Sequence, residues 1–191
     1  MTRARKVRQP RENAVKPAGE EPGVFRVDGK RGVFVTDDFL VTLSLSLRTL
    51  MGSSSAALYG WGIESGKRLV ENLRETGGAM ASADPEGAVR ASLDNLTRCG
   101  WGHLEIREID PANHTVRVES TNLIGIERLA YAENRKPHPS DDFTRGLIAG
   151  VASAAFRVEF DAIETICRAN GGEICAFLAA PRDVLSKLTA R

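Results

Sequence analysis

The sequence predicts an α+β domain in which an antiparallel sheet built from hairpins carries helices packed on one side. Two patterns lead there. Short apolar runs alternate in pairs around turn residues, and longer stretches between them carry helical spacing. A third observation is negative: no strand-helix alternation of the doubly wound parallel kind is evident, and neither is an internal repeat. The 191 residues suit one core that needs no disulfide support.

Composition narrows the function. Hydrophobic content of 42%, charged content of 27% and a formal charge of +1 are those of a soluble globular protein, and they argue against direct nucleic-acid or membrane-surface binding. The longest apolar run, Leu147–Phe156, is about half of what a bilayer-spanning helix requires. No apolar stretch follows the basic N-terminus, so no secretory signal is expected and the expected location is cytoplasmic.

Residues 1–22 hold Arg3, Arg5, Lys6, Arg8, Arg11 and Lys16 with three prolines and little that is apolar, which predicts a disordered, solvated arm ahead of a single domain over residues 23–191. Val24–Val27 and Gly32–Thr36 flank Asp28-Gly29-Lys30-Arg31 as a first hairpin. From Asp37 or Asp38 the apolar spacing becomes helical through Met51. Gly52-Ser53-Ser54-Ser55 then ends one helix and caps the next. Gly60-Trp61-Gly62-Ile63-Glu64-Ser65-Gly66-Lys67-Arg68 fits neither nucleotide motif: its third glycine is one place too late for the dinucleotide fingerprint, and a phosphate loop needs glycine at Trp61 and Ser or Thr at Arg68. Close helix packing at small residues is the reading that remains.

Asp84-Pro85-Glu86 opens a further helix with a cap, a proline at the first position and an early acid, and Gly100 ends it. Trp101–Ile106 and Thr115–Val118 alternate around Asp110-Pro111-Ala112-Asn113 as a second hairpin. Residues 133–139 read as a surface loop. A helix starts near Asp141, Phe156–Ile163 alternates as a strand with Ile174–Leu178 as its return partner, and Pro181–Leu188 closes the chain with a short helix.

The chemistry concentrates near the C-terminus. Glu164, Cys167 and Cys175 gather a carboxylate and two thiols around the turn-forming Asn170-Gly171-Gly172, a candidate zinc site. Alternatives exist for each residue. Free cysteines usually sit in cores, and in a regular strand an offset of three places Glu164 opposite Cys167, so joint ligation requires a bulge or an irregular strand end. Cys99, His103 and His114 lie outside the spacing; the cysteine reads as structural and both histidines as residues on strand surfaces.

Several of these stretches resemble the 4-vinyl reductase domain family, whose fold is shared with vesicle-tethering subunits of the TRAPP complex. They are Ala57-Leu58-Tyr59 with Gly62, Gly66 and Leu69; Gly100-Trp101-Gly102 with Leu104-Glu105-Ile106; Phe143-Thr144-Arg145-Gly146 with Gly150; and Glu164, Cys167, Gly171 and Cys175. In aromatic-sensing members the resemblance implies a structural zinc held by a helix-start cysteine together with this Glu, Cys and Cys. The helix-start position here is Asp141, an oxygen donor that is harder and less zinc-selective than a thiolate and that also suits a helix N-cap. His138 in the preceding loop offers a softer alternative.

The resemblance implies a zinc-stabilised domain that binds or senses a small hydrophobic or aromatic molecule and acts through a homodimer or a partner protein. No catalytic set is demanded. An enzyme or accessory of tetrapyrrole vinyl reduction is the second reading, set back by the missing dinucleotide fingerprint. A tethering protein is the third.

Overall fold

The structure, a computed structural model, describes residues 24–27, 30–33, 35–53, 55–75, 84–125 and 141–190. They divide into two compact units, one ending before Val35 and one running from Val35 onward. The expected N-terminal arm, the loop over residues 133–139 and His138 lie outside the described residues.

The first unit holds a hairpin of β1 (Phe25–Val27) and β2 (Lys30–Gly32), with Arg26 opposite Arg31. The second arm therefore starts at Lys30 rather than Gly32. Asp28 and Gly29 alone lie between the arms, which is the spacing of the tightest hairpins.

The second unit carries helices α1 (Asp37–Met51), α2 (Ser55–Glu75) and α3 (Pro85–Arg98), then strands β3 (Glu105–Asp110) and β4 (Thr115–Ser120). Helix α4 (Asp142–Phe156), strands β5 (Asp161–Ile166) and β6 (Cys175–Ala180), and helix α5 (Arg182–Thr189) follow. The sheet order is β3-β4-β6-β5 with every neighbouring pair antiparallel, which is the α+β arrangement expected. Local chemistry explains the boundaries. Gly52 ends α1 at φ +75°, and Asp84 accepts the Gly87 amide at 2.6 Å to cap α3.

Helix α4 is central. Its residues from Gly146 to Ser153 are buried without a break, against α2 and α3 on one side and the sheet on the other. Strand β6 is buried at every position: Cys175, Phe177 and Ala179 join the main core, while Leu178 and Ala180 pack with Leu185 of α5 in a second cluster. Glycines let α2 and α4 touch backbone to backbone. A Cβ on Gly66 would lie 2.7 Å from the Val151 nitrogen, and one on Gly150 would lie 2.8 Å from the Ile63 carbonyl carbon. The segment that tempts a nucleotide reading is thus a helix-packing seam.

Two strand expectations are corrected. The alternation over Phe156–Ile163 is mostly a helix end and a reversal: α4 continues to Phe156, Arg157 turns the chain at φ 57°, and the strand begins only at Asp161. Phe156 and Phe160 alternate because they pack on each other across that reversal, 5.2 Å between ring centroids, and the Ser153 hydroxyl accepts the Phe160 amide at 2.9 Å. Likewise β3 begins at Glu105, not Trp101. Gly100 and Gly102 at φ +89° and +128° bend the chain, and the Trp101 amide returns to the Leu96 carbonyl at 3.1 Å. Neither His103 nor His114 lies in a strand. His114 turns the β3–β4 connection at φ 51° and packs on the rings of Phe156 and Phe160.

Candidate metal centre and ligand cavity

The end of β5 is irregular where the chemistry requires it. Pairing with β6 is regular to Glu164 opposite Phe177, then shifts so that Ile166 faces Ala176. That bulge re-aims the chain. Thr165 and Ile166 both face outward, while Glu164 and Cys167 both turn inward. A 3-10 turn over Arg168–Asn170 follows, with Gly171 at φ +94° and the Gly172 amide donating to the Cys167 carbonyl at 3.1 Å. The turn delivers β6, whose first residue is Cys175.

As a result the donor atoms of Glu164, Cys167 and Cys175 all lie within 4.8 Å of one another. All three residues are buried, at 7%, 5% and 0% exposure. Glu164 Oε1 has no hydrogen-bond partner, an uncommon state for a buried carboxylate oxygen. The Arg168 amide donates to Cys175 Sγ at 3.4 Å, so one sulfur already accepts from the backbone. Burial first, and the neighbouring Cys167 second, push the Glu164 carboxyl well above the usual carboxylate range. The Cys175 thiol is pushed up by its hydrogen bond with Cys167 and then by burial. Left to themselves these groups hold protons; a divalent cation would take the protons' place.

The donor set fits zinc. A tetrahedral zinc with bonds of about 2.0 to 2.3 Å spaces its donors roughly 3.5 to 4 Å apart, so small side-chain rotations close this cluster around an ion. Asp141 stands beside the cluster but outside it. Its amide donates to Glu164 Oε2 at 3.4 Å, and its Oδ1 accepts the Thr144 amide at 2.9 Å as the N-cap of α4. Burial raises its carboxyl to about 6. Cys99 is exposed at the C-cap of α3, away from the cluster, with Sγ 3.7 Å from Asn95 Oδ1.

The start of α4 also walls a cavity of about 40 Å³ between α1, α2 and the turn before β3. Leu40, Leu43, Leu58, Trp61, Trp101 and Phe143 supply apolar lining, and Ser44, Asp141 and Thr144 supply polar groups. Phe143 links the two tryptophans, 4.8 Å from Trp61 and 5.1 Å from Trp101 between ring centroids. Sequence reading missed this cavity because apolar positions at helical spacing look the same whether they fill a core or line a void. It also missed a polar tie across α2, α4 and β5. Tyr59 donates to Asp161 and accepts the Ala162 amide at 3.0 Å, while the Arg145 guanidinium lies 4.1 Å above the Tyr59 ring centroid. Burial first, and then the bond to Asp161, push the Tyr59 hydroxyl up to about 12.

Solved structures share this architecture. The phenol-responsive sensory domain of the transcription activator PoxR, solved with phenol, superposes with a TM-score of 0.71 at 17% identity over 87% of each chain. A vinyl-4-reductase family protein from Methanocaldococcus jannaschii gives 0.52 at 22% identity, over 78% of this chain and 82% of that one. The chain has the 4-vinyl reductase domain fold. The same fold extends to subunit 3 of the trafficking protein particle complex from Naegleria fowleri, covalently bound to palmitic acid, with a TM-score of 0.53 at 10% identity over 75% of this chain and 93% of that one. No protein-family model matches the chain. No curated protein matches it either. Within the 4-vinyl reductase domain fold, no described helix is long and apolar enough to cross a membrane.

Proposed function

We propose that the domain binds a small apolar or aromatic molecule in the cavity beside α1, and that a zinc ion on Glu164, Cys167 and Cys175 ties the start of α4 to the last hairpin. The observation that carries this reading is the shared wall. Residues Asp141, Phe143 and Thr144 line the cavity, and Asp141 also bonds to Glu164 of the thiol cluster. Occupancy of the cavity therefore bears on the helix start that the metal holds. A sensing domain needs such a linkage, because a ligand shifts an equilibrium only through contacts that differ between two states. At about 40 Å³ the cavity has room for only about a water or two, so admitting a ring requires its walls to move apart; the phenol complex of the PoxR domain supports the ligand class.

Output passes through a second copy of the chain or a partner protein. Helix α1 supports that, since Phe39, Leu50 and Met51 are exposed on it. A cytoplasmic setting suits the design, because a reducing compartment keeps both thiols available to a metal.

Native mass spectrometry tests the metal directly. One zinc per chain is expected, lost in Cys167→Ser and Cys175→Ser and kept in Cys99→Ser; equal retention in all three removes the site. Tryptophan fluorescence tests the cavity. Phenol should perturb Trp61 and Trp101 saturably, and Leu43→Phe should abolish the response by filling the space. A response unchanged by that filling places the binding elsewhere.

A further inference from the structure

Cys167 and Cys175 sit side by side beneath a surface turn. Their sulfurs lie within 4.8 Å of each other, and the Cys175 thiol is hydrogen-bonded with Cys167. Cys175 Sγ is also 3.4 Å from the amide nitrogen of Arg168, the residue that follows Cys167. The step from such a separation to the disulfide bond length of about 2.05 Å is of the size that side-chain rotation covers.

The turn that covers the pair is slight. One 3-10 turn, Arg168–Asn170, is closed by the amides of Asn170 and Gly172 on the single Cys167 carbonyl, each at 3.1 Å, and Asn170, Gly171 and Glu173 are exposed. Cys167 heads the turn beside exposed Ile166 and is itself 5% exposed, while Cys175 at the start of β6 is fully buried. Burial protects both thiols while the turn is closed, so their oxidation follows its opening. The outer sulfur is the one a small oxidant reaches first. The inner one is placed to displace the product.

We propose that Cys167 and Cys175 form a reversible disulfide, and that this bond and the zinc ion exclude each other, which makes the tie between the last hairpin and the start of α4 sensitive to oxidants. The exclusion rests on the zinc reading above; the disulfide does not. Hydrogen peroxide is a sufficient co-reactant. It transfers one oxygen to Cys167, so that S–H and HO–OH become S–OH and water. Cys175 then attacks the sulfenic sulfur, the hydroxyl leaves with the thiol hydrogen as a second water, and the S–S bond forms. Two thiols are oxidised by one peroxide, and a dithiol or a cellular thiol pool reverses the bond by exchange. In a reducing compartment the bridge is transient. It removes both sulfur donors and leaves Glu164 alone, too little for a structural zinc site. Zinc in turn holds the sulfurs roughly 3.5 to 4 Å apart, beyond bonding distance.

The full chain without substitution provides the test. Chelator-stripped protein is treated with hydrogen peroxide and denatured, and its thiols are titrated. Of the three cysteines, two should be lost and one kept, and the intact mass should fall by two hydrogens. Peptide mapping should place the bridge between Cys167 and Cys175, and dithiothreitol should restore every thiol. At free zinc about tenfold above its dissociation constant, thiol loss should slow by about tenfold, because only metal-free protein is oxidised. A colorimetric chelator should register one zinc released for each bridge formed.

Thiols that survive in metal-free protein, a mass gained as oxygen without a bridge, or a bridge that includes Cys99 overturns the inference. A Cys167–Cys175 bridge that forms equally fast with and without zinc, in protein that native mass spectrometry finds to carry the ion, overturns the exclusion. The same equal rate in protein that takes up no zinc overturns the zinc reading and leaves the disulfide standing.

Discussion

Helix α4 is gripped along its length by α2 and at its start by the thiol cluster, and the two contacts differ in what completes them. Along the seam, Gly62 and Gly66 meet Gly146 and Gly150 so closely that backbone touches backbone. Nothing further is needed there, because close-packed atoms gain their dispersion energy from one another. At the helix start the contact is polar, buried and short of partners: Glu164 Oε1 has none, and two sulfurs stand near it. The seam is finished by the chain itself, whereas the cluster is left for the proposed zinc to finish. A domain with one contact of each kind can keep its fold and still respond.

The sharpest way to break this comparison is to add a methyl group to the seam. Gly150→Ala should cost about 3 kcal/mol or more in urea unfolding, because the new Cβ meets the main chain of Ile63 and only separation of the two helices relieves it. Gly60→Ala is the control. It lies on α2 with nothing within 4 Å of the added Cβ, so it should stabilise by about 0.5 to 1 kcal/mol. Equal costs at both positions would reduce the seam to ordinary helix propensity.

The cluster should respond to composition and conditions instead. Zinc at a hundredfold above its dissociation constant should raise unfolding free energy by about 2.7 kcal/mol, and a chelator should reverse the gain. Glu164→Gln should split in sign. In metal-free protein at pH 8 it should stabilise by roughly 1 kcal/mol, since it removes a buried carboxylate that burial and Cys167 already resist ionising; in zinc-loaded protein it should destabilise. Destabilisation in both states would mean that Glu164 serves packing alone.

Acidity follows from the same physics. Asp141 is raised by burial to about 6, so its folded state holds a proton that the unfolded chain releases near pH 4. The stability tied to that proton is complete below about pH 4 and is lost as pH rises to about 6, a change of roughly 3 kcal/mol at most for this group. Zinc should oppose the trend, because its ligands shed protons on binding and its apparent affinity therefore rises with pH. Chemical denaturation of metal-free and zinc-loaded protein from pH 4 to 8 checks both slopes; parallel slopes would detach Asp141 and its neighbours from the metal.

Much of the architecture was legible in the sequence because its signals are local. Asp84-Pro85-Glu86 starts α3 with the cap read from its residue types, and Asp110 accepts the amides of Ala112 and Asn113 as a turn aspartate does. The spacing of Glu164, Cys167 and Cys175 placed three donors at one hairpin end, and the condition attached to it, a bulge, is present between Glu164 and Ile166. What escaped was non-local. The alternation over Phe156–Ile163 reports two phenylalanines packing across a reversal, a pattern that strand pairing would produce equally well. The cavity depends on which faces of α1 and α2 approach Phe143, and a single chain does not encode that at any fixed spacing.

The smallest predicted effect tests whether the two contacts are independent. Tyr59→Phe removes the hydroxyl that donates to Asp161 and accepts the Ala162 amide, a tie between α2 and β5 on the seam side of α4. The loss is limited because the Ala162 amide also donates to Asp161 Oδ1 at 2.9 Å and the Arg145 guanidinium keeps an aromatic face beneath it. A cost of about 1 kcal/mol is expected from the urea midpoint, within the range for one hydrogen bond whose partners stay satisfied. Zinc affinity should change by less than about twofold, since sites without shared partners combine additively. A larger drop in zinc affinity would show that strain at the seam reaches the cluster through α4, and the helix would then transmit between its two contacts instead of keeping them apart.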